Sequence, residues 1–255
     1  NNCINSQLAL GLMYYEGRNV KLNINKATHF LTLAANQNSA IAQYYLGIIY
    51  INSDTTKSLQ YLSLAANQQL VEAQFFLGNF YHLDNSPYFD INKSIYYYTL
   101  AANNNFPQAQ YNLGVIYYEK EYGKMDINKS IFYFTLAACS NFVEAQYELG
   151  LIYFKGEYVI PNIHKAIHYL TLAANQNNSK AQFLLGIIYN DKSYDVFDSE
   201  KSFSYLLKSA ENNNAYAQWK LGDFYYEGKI VKFDINKAVY YYTLAANQNL
   251  DQAQF

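Results

Sequence analysis

The stretch AQYNLGVIYY, Ala109–Tyr118, followed by DINKSIFYFTLAA, Asp126–Ala138, is written repeatedly along this chain of 255 residues. DINKSIYYYTLAAN begins at Asp90 and DINKAVYYYTLAAN at Asp234, 144 residues apart. The pair Ala-Gln marks the register at Ala42, Ala73, Ala109, Ala145, Ala181, Ala217 and Ala253, with Ser6-Gln7 as an early variant. Every step is 36 residues except the 31 from Ala42 to Ala73, so 144 is four periods. A fixed period of this size is the signature of stacked supersecondary repeats. The whole span 1–255 reads as a single array. Seven repeats fall at about 4–39, 40–70, 71–106, 107–142, 143–178, 179–214 and 215–250, and an eighth is begun. A chain that starts at Asn1 and stops at Phe255 in mid-phrase reads as a piece of a longer protein.

Two helices are predicted per repeat. The first follows A-Q-aromatic-x-L-G-x-x-Y. Its glycines are Gly11, Gly47, Gly78, Gly114, Gly150, Gly186 and Gly222, each followed at the third residue by a tyrosine. A glycine inside a helix costs about 1 kcal/mol against alanine. Seven in register imply that a neighbouring backbone approaches too closely for a Cβ. The second helix opens with Asn23, Asp54, Asp90, Asp126, Asn162, Asp198 or Asp234, side chains suited to cap free amides. Four residues on stands Ala or Ser, three further an aromatic ring (Phe30, Tyr61, Tyr97, Tyr133, Tyr169, Tyr205, Tyr241), then a small pair such as Ala101-Ala102. That spacing puts them on one stripe, with the rings expected over small residues of the neighbouring helix. Pro107 suits a first helical position, and Pro87 and Pro161 fall between helices. The Asn runs at Asn103 and Asn212 sit where a left-handed residue ends a helix. The shortened repeat loses residues only between its helices, around INSDTTKS.

Such a pair cannot bury its apolar stripe alone, but stacked pairs can. The fold class expected is all-α: a right-handed α-solenoid of about fourteen antiparallel helices. A-Q-Y-x-L-G-x-x-Y-x-x-G, then D-x-x-K-A, then an aromatic helix ending A-A, resembles the Sel-1-like repeat, a relative of the tetratricopeptide repeat with a longer internal loop. YYEGRNVKLNINKATHFLTLAANQN and YYEGKIVKFDINKAVYYYTLAANQN carry the resemblance most fully. Some loops lack the family's glycine (YHLDNSPYF, YNDKSYDVF), a departure in loop shape. The resemblance implies a protein–protein interaction scaffold or adaptor. Similar proteins serve endoplasmic-reticulum-associated degradation complexes, chitin synthase activation and bacterial virulence or signalling. The alternative it implies is a regulatory segment attached to a kinase or a ubiquitin-ligase component. A cysteine-rich bacterial branch staples each repeat with a disulfide, and Cys3 and Cys139 supply no such pairs.

Composition narrows the function classes. A hydrophobic content of 51% argues against disorder. A net charge of −2 lacks the basic excess of nucleic-acid binders. No apolar run approaches the roughly 20 residues of a membrane span. Two isolated cysteines suit a reducing compartment, so a cytoplasmic location is favoured, with the ER lumen open if the full chain carries a signal peptide. Asn92, Asn128 and Asn177 head N-x-S/T sequons, which matter only in a lumenal chain.

His164 and His168, four apart, have metal-pair spacing. The positions equivalent to His168 are His29, Gln60, Tyr96, Phe132, Ser204 and Tyr240, a mixture typical of an exposed face, and no third ligand is near in sequence. No metal or cofactor is expected. Nor is there a nucleophile elbow, a triad or a carboxylate pair, so the chain does not read as an enzyme. The lysines Lys26, Lys57, Lys93, Lys129, Lys165, Lys201 and Lys237 recur in every repeat, each stem expected to cover a ring while its charge reaches an acid or water.

By analogy with tetratricopeptide solenoids, the first helices should line a concave face that grips a protein or peptide. Two positions there vary while their neighbours repeat. Two residues before the glycine stand Ala9, Tyr45, Phe76, Asn112, Glu148, Leu184 and Lys220; one after it stand Leu12, Ile48, Asn79, Val115, Leu151, Ile187 and Asp223. They are three apart, hence on one side of the helix. Large apolar side chains there mark Tyr45, Ile48 and Phe76 as an anchor site, with Asn79 and Asn112 pairing ligand backbone beside it. Glu148 belongs to the same series, and Lys220 and Asp223 would form a separate polar end.

Overall fold

A computed structural model describes residues 3–84 and 86–248. Among them are fourteen α-helices and no strand. They are α1 (Ile4–Glu16), α2 (Ile24–Ala35), α3 (Ala40–Tyr50), α4 (Thr55–Asn67), α5 (Val71–His82), α6 (Ile91–Asn103) and α7 (Pro107–Tyr118), followed by α8 (Ile127–Cys139), α9 (Val143–Lys155), α10 (Ile163–Asn175), α11 (Ser179–Asn190), α12 (Ser199–Glu211), α13 (Ala215–Glu227) and α14 (Ile235–Ala246). The chain divides into two compact units, Asn1–Asp126 and Ile127–Phe255. In the first, α1 packs along α2, α3 along α4 and α5 along α6, and each second helix packs on the next first helix: α2 on α3, α4 on α5, α6 on α7. In the second, the same tandem contacts run from α8 through α14. The first helices also meet one another directly, α1 with α3 and α9 with α11.

The second helices start where a carboxylate or amide oxygen caps them. Oδ1 of Asn23, Asp54, Asp90, Asn162, Asp198 and Asp234 accepts the amide three residues on, at 2.9–3.0 Å. The backbone amide of each capping residue donates in turn to the carbonyl of the tyrosine ending the glycine motif, as from Asn23 to Tyr14, Asp90 to Tyr81 and Asp198 to Tyr189, all at 2.9 Å. This clamp explains why loop length can change. In the shortened repeat Asp54 still donates to Tyr50 at 2.8 Å, across four residues instead of nine. At the other end, Asn38, Asn105, Asn141, Asn177 and Asn213 adopt φ between 57° and 66°. Asparagine tolerates this left-handed conformation because its short side chain bonds locally. The sixth such position holds Gln69, φ 64°, which lacks that advantage. Pro107 occupies the first turn of α7, and Pro87 and Pro161 lie between helices.

The packed stripe differs from the sequence expectation by one residue. The aromatic residues Phe30, Tyr61, Tyr97, Tyr169, Tyr205 and Tyr241 are only half-buried. The residue after each ring is the one sealed in the core: Leu31, Leu62, Tyr98, Leu170 and Leu206 are each at most 1% exposed. From Ala27 the helical step of four reaches Leu31, and three and four more reach Ala34 and Ala35, so the ring at Phe30 falls at the stripe's edge. Each buried leucine is worth about 1.5–3 kcal/mol.

These side chains also explain the glycines. A Cβ on Gly150 would stand 2.6 Å from Cγ of Leu170, on Gly186 2.6 Å from Cγ of Leu206, and on Gly78 2.4 Å from Cδ1 of Tyr98. The expected close backbone is present but lies behind, with Leu170 N at 3.2 Å and Leu206 N at 3.4 Å. The space kept free by each glycine is a socket for a side chain of the second helix. Where the small residue of the second helix is serine, its hydroxyl donates to the glycine carbonyl, as in Ser58 to Gly47 at 2.7 Å and Ser202 to Gly186 at 2.8 Å.

The edge rings have another role. Each stacks on the tyrosine of its own first helix, not over small residues of a neighbour. The pairs Tyr14–Phe30, Tyr50–Tyr61, Tyr81–Tyr97, Tyr153–Tyr169, Tyr189–Tyr205 and Tyr225–Tyr241 have centroids 5.8–6.0 Å apart and planes within 10°. That separation of parallel rings is an offset stack. Lys26, Lys57, Lys93, Lys165, Lys201 and Lys237 lay Nζ over the same tyrosines, 4.2–5.4 Å from the centroid. Lys201 also reaches Asp198 at 3.1 Å. The repeated lysines therefore complete a lysine–tyrosine–aromatic sandwich that locks the two helices of a repeat.

A candidate ligand face along the first helices

Beneath the first helices runs a polar element that the sequence reading used only as a register mark. Among the described residues, the glutamines of the Ala-Gln pairs are buried. Gln43, Gln74, Gln110, Gln146, Gln182 and Gln218 donate Nε2 to a carbonyl eight residues earlier, at the end of the preceding helix, at 3.1–3.4 Å. That bond reaches into the preceding repeat, and Oε1 then accepts from the end of the second helix of its own repeat: Gln68 to Gln43 at 2.7 Å, Gln176 to Gln146 at 2.9 Å, Asn212 to Gln182 at 2.9 Å and Gln248 to Gln218 at 2.7 Å. The ladder lapses at Gln74 and Gln110, whose Oε1 atoms are buried without a partner; at Gln74 this is because Asn104 turns its amide back to Leu100 O at 3.0 Å. The invariance of these glutamines marked them as special, and a polar residue among apolar ones was the signal that they join repeats.

The varied positions occupy one side of the first helices. In the first unit Tyr45 is half-buried against the Leu31–Leu46 core. Its ring meets Tyr15 edge-on at 5.2 Å, joining α1 to α3. Phe76 packs on the core around Leu77 and meets Tyr44 edge-on at 6.3 Å, joining α3 to α5. Ile48 is half-buried and Asn79 exposed. Asn79 Oδ1 accepts from the Tyr98 hydroxyl at 2.7 Å and from Asn112 Nδ2 at 3.4 Å. Burial pushes the Tyr98 hydroxyl up to about 12.

In the second unit, Lys220 lies over the Trp219 ring at 4.0 Å and pairs with Asp223 at 3.2 Å. Asp223 Oδ1 accepts from the Tyr242 hydroxyl at 2.9 Å. Burial, then the hydrogen bond to Asp223, raises the Tyr242 hydroxyl. Glu148 is half-buried on α9, and burial raises its carboxyl against the opposing pull of Lys155 and Lys180.

Part of the variation therefore has an internal partner. Where the socket is filled by tyrosine, Tyr98 or Tyr242, the residue after the glycine is polar, Asn79 or Asp223. Where it is filled by leucine, as by Leu31, Leu62, Leu170 and Leu206, that residue is Leu12, Ile48, Leu151 or Ile187. A buried hydroxyl needs an acceptor, and an apolar filler does not. This pairing was legible in the sequence once the socket residue was known.

The residues read for other chemistry are placed simply. His164 Nε2 lies 3.4 Å from Asp195 Oδ2, both well exposed. Among the described residues no group of three His, Cys, Asp or Glu could hold a metal, and no helix is long and apolar enough to cross a membrane. The positions equivalent to His168 are exposed, Tyr96 at 58% and Phe132 at 57%. Cys3 and Cys139 are free and exposed.

Tandem helix pairs, sockets cut by glycine and repeat-to-repeat side-chain ladders define an α-solenoid repeat scaffold. The Sel1 repeat model matches residues 4–39, 40–70, 71–106, 107–142, 143–178, 179–214 and 215–250, and the chain belongs to the Sel1 repeat family. It is similar to a Sel1 repeat protein from Oxalobacter formigenes, with 30% identity and a TM-score of 0.77 over 99% of this chain and 75% of that one. A protective antigen of uropathogenic Escherichia coli displaying an SLR fold superposes with a TM-score of 0.74 at 26% identity, covering 99% of this chain and 63% of that one. A putative sel1-like repeat-containing protein of Acanthamoeba polyphaga mimivirus is 50% identical over 52 residues, 20% of this chain and 10% of that protein. The Sel1 repeat is a non-catalytic scaffold fold that generally serves protein interaction.

Proposed function

We propose that this chain is an adaptor that holds protein or peptide segments along the first helices of each unit. In the first unit Tyr45, Ile48 and Phe76 receive apolar side chains of the partner, and Asn79 and Asn112 pair its backbone. In the second, Glu148, Lys220 and Asp223 supply polar contacts. The observation that carries the reading is the division of labour within the repeat. Among the described residues, the glutamines, glycines, tyrosines, lysines and capping residues that recur are engaged within or between repeats. Tyr45 and Phe76 remain half-open rings on the side where residue type changes from repeat to repeat. Half-open aromatic rings are frequent anchors in interfaces, since they present a large rigid surface at small entropic cost.

The test is a titration with peptides selected from a random display library on the full chain. Tyr45→Ala combined with Phe76→Ala should weaken binding at least about tenfold, as expected for loss of an anchor worth over 1 kcal/mol. Unchanged affinity in a variant with wild-type circular dichroism would exclude these residues from the site.

A further inference from the structure

Glu148 stands apart from every other residue at its position. Its equivalents are Ala9, Tyr45, Phe76, Asn112, Leu184 and Lys220. The one other charge, Lys220, is neutralised from three residues on by Asp223, at 3.2 Å. Three residues beyond Glu148 stands Leu151, which offers no counter-charge. Glu148 is half-buried and makes no hydrogen bond or ion pair among the described residues, while its chain neighbour Tyr147 and Leu184, its equivalent in the next repeat, pack on the apolar cluster around Leu185. Lys155 on α9 and Lys180 on α11 act on it only at longer range. A carboxylate partly shielded from water and without a partner is held at a disadvantage that a cation at contact distance would remove. One turn earlier on the same side, Glu144 is exposed and adds negative potential at the approach.

We propose that Glu148 receives a single cationic side chain of an extended peptide lying along the first-helix face of the second unit. This rests on the ligand face proposed above. Arginine is preferred to lysine, because a guanidinium fork engages both carboxylate oxygens at once. Lys155 and Lys180 reject a run of basic residues and so restrict the preference to one position. Leu151, Leu184 and Ile187 flank the site, so apolar side chains of the peptide follow its basic residue.

The probe is the set of peptides selected from a random display library on the full chain. The expected result is one enriched arginine, and replacing it by citrulline lowers affinity at least about 30-fold on the wild type, as for truncating one member of a desolvated charge pair. On Glu148→Gln, a near-isosteric change that preserves folding, the same replacement has little effect, and Glu148→Lys selects an acidic residue at that place. Peptides weakened by Ile187→Ala but indifferent to citrulline or to Glu148→Gln would overturn the role of Glu148 and leave the ligand face standing. Peptides indifferent to every substitution on this face would overturn both.

Discussion

Gly150→Ala decides whether the recurrent glycines are sockets or merely tolerated weak points. In an ordinary helix this change stabilises by about 1 kcal/mol. Here the new Cβ would lie 2.6 Å from Cγ and 2.7 Å from Cδ2 of Leu170, with Leu170 N behind them at 3.2 Å. Leu170 is fully buried, so its side chain has no open direction in which to retreat. Forcing a methyl into a filled site costs about 1–3 kcal/mol. The net expectation is a loss of about 1 kcal/mol, the midpoint of that penalty less the propensity gain. Leu170→Ala alone should cost about 2–5 kcal/mol through the cavity it leaves. In that background the obstruction is gone, and Gly150→Ala should stabilise by about 1 kcal/mol as the propensity term acts alone. The sign reversal is the signature of direct contact. Urea unfolding of the four proteins, followed by far-ultraviolet circular dichroism and fitted with nearest-neighbour coupling, measures it. If Gly150→Ala stabilises in both backgrounds, or shifts both equally, the socket is wrong.

Three further expectations concern stability. Gln69→Gly should raise it by about 1 kcal/mol, because Gln69 is the one left-handed inter-repeat position without asparagine, at φ 64°; an unchanged melting temperature would count against strain there. Asn104→Gln should extend a side chain to the orphaned Oε1 of Gln74, as Gln68 does to Gln43, and gain about 0.5–1.5 kcal/mol; urea unfolding of the variant measures this, and a loss would mean that the ladder is closed at that step for another reason. Tyr98→Phe should cost about 0.5–1.5 kcal/mol near neutral pH through its bond to Asn79. The Tyr98 hydroxyl is raised from 10.0 to about 12 in the fold, so its stabilising preference for the protonated form is complete below pH 10 and is lost as pH climbs towards 12. The deficit of Tyr98→Phe should therefore shrink or invert across that window, and a pH-independent gap in unfolding free energy would contradict the burial of this hydroxyl.

The sequence alone determined the number of repeats, the two helices in each and most of their ends. These follow from local physics. A period of 36 residues is countable, Asp and Asn at the caps act on amides three residues away, and Asn105 or Asn213 turns the chain by its own side chain. The insensitivity of the second repeat to its shorter loop was also legible, although its cause, the Asp54 amide on the Tyr50 carbonyl, was not. What only the tertiary structure decided is which member of a neighbouring pair points inward. Phe30 and Leu31, or Tyr97 and Tyr98, are adjacent and both apolar, and a turn of about 100° between them is too fine for composition to resolve when the stripe is wide. That choice settles the rest. It makes the glycines sockets for Leu170 and Leu206, turns the edge rings onto Tyr153 and Tyr189, and hands Asn79 and Asp223 to the hydroxyls of Tyr98 and Tyr242. The glutamine ladder was hidden for the same reason. A glutamine at a fixed register announces itself in sequence, but its acceptor eight residues back in the preceding repeat and its donor at the end of its own repeat's second helix exist only once the helices are stacked.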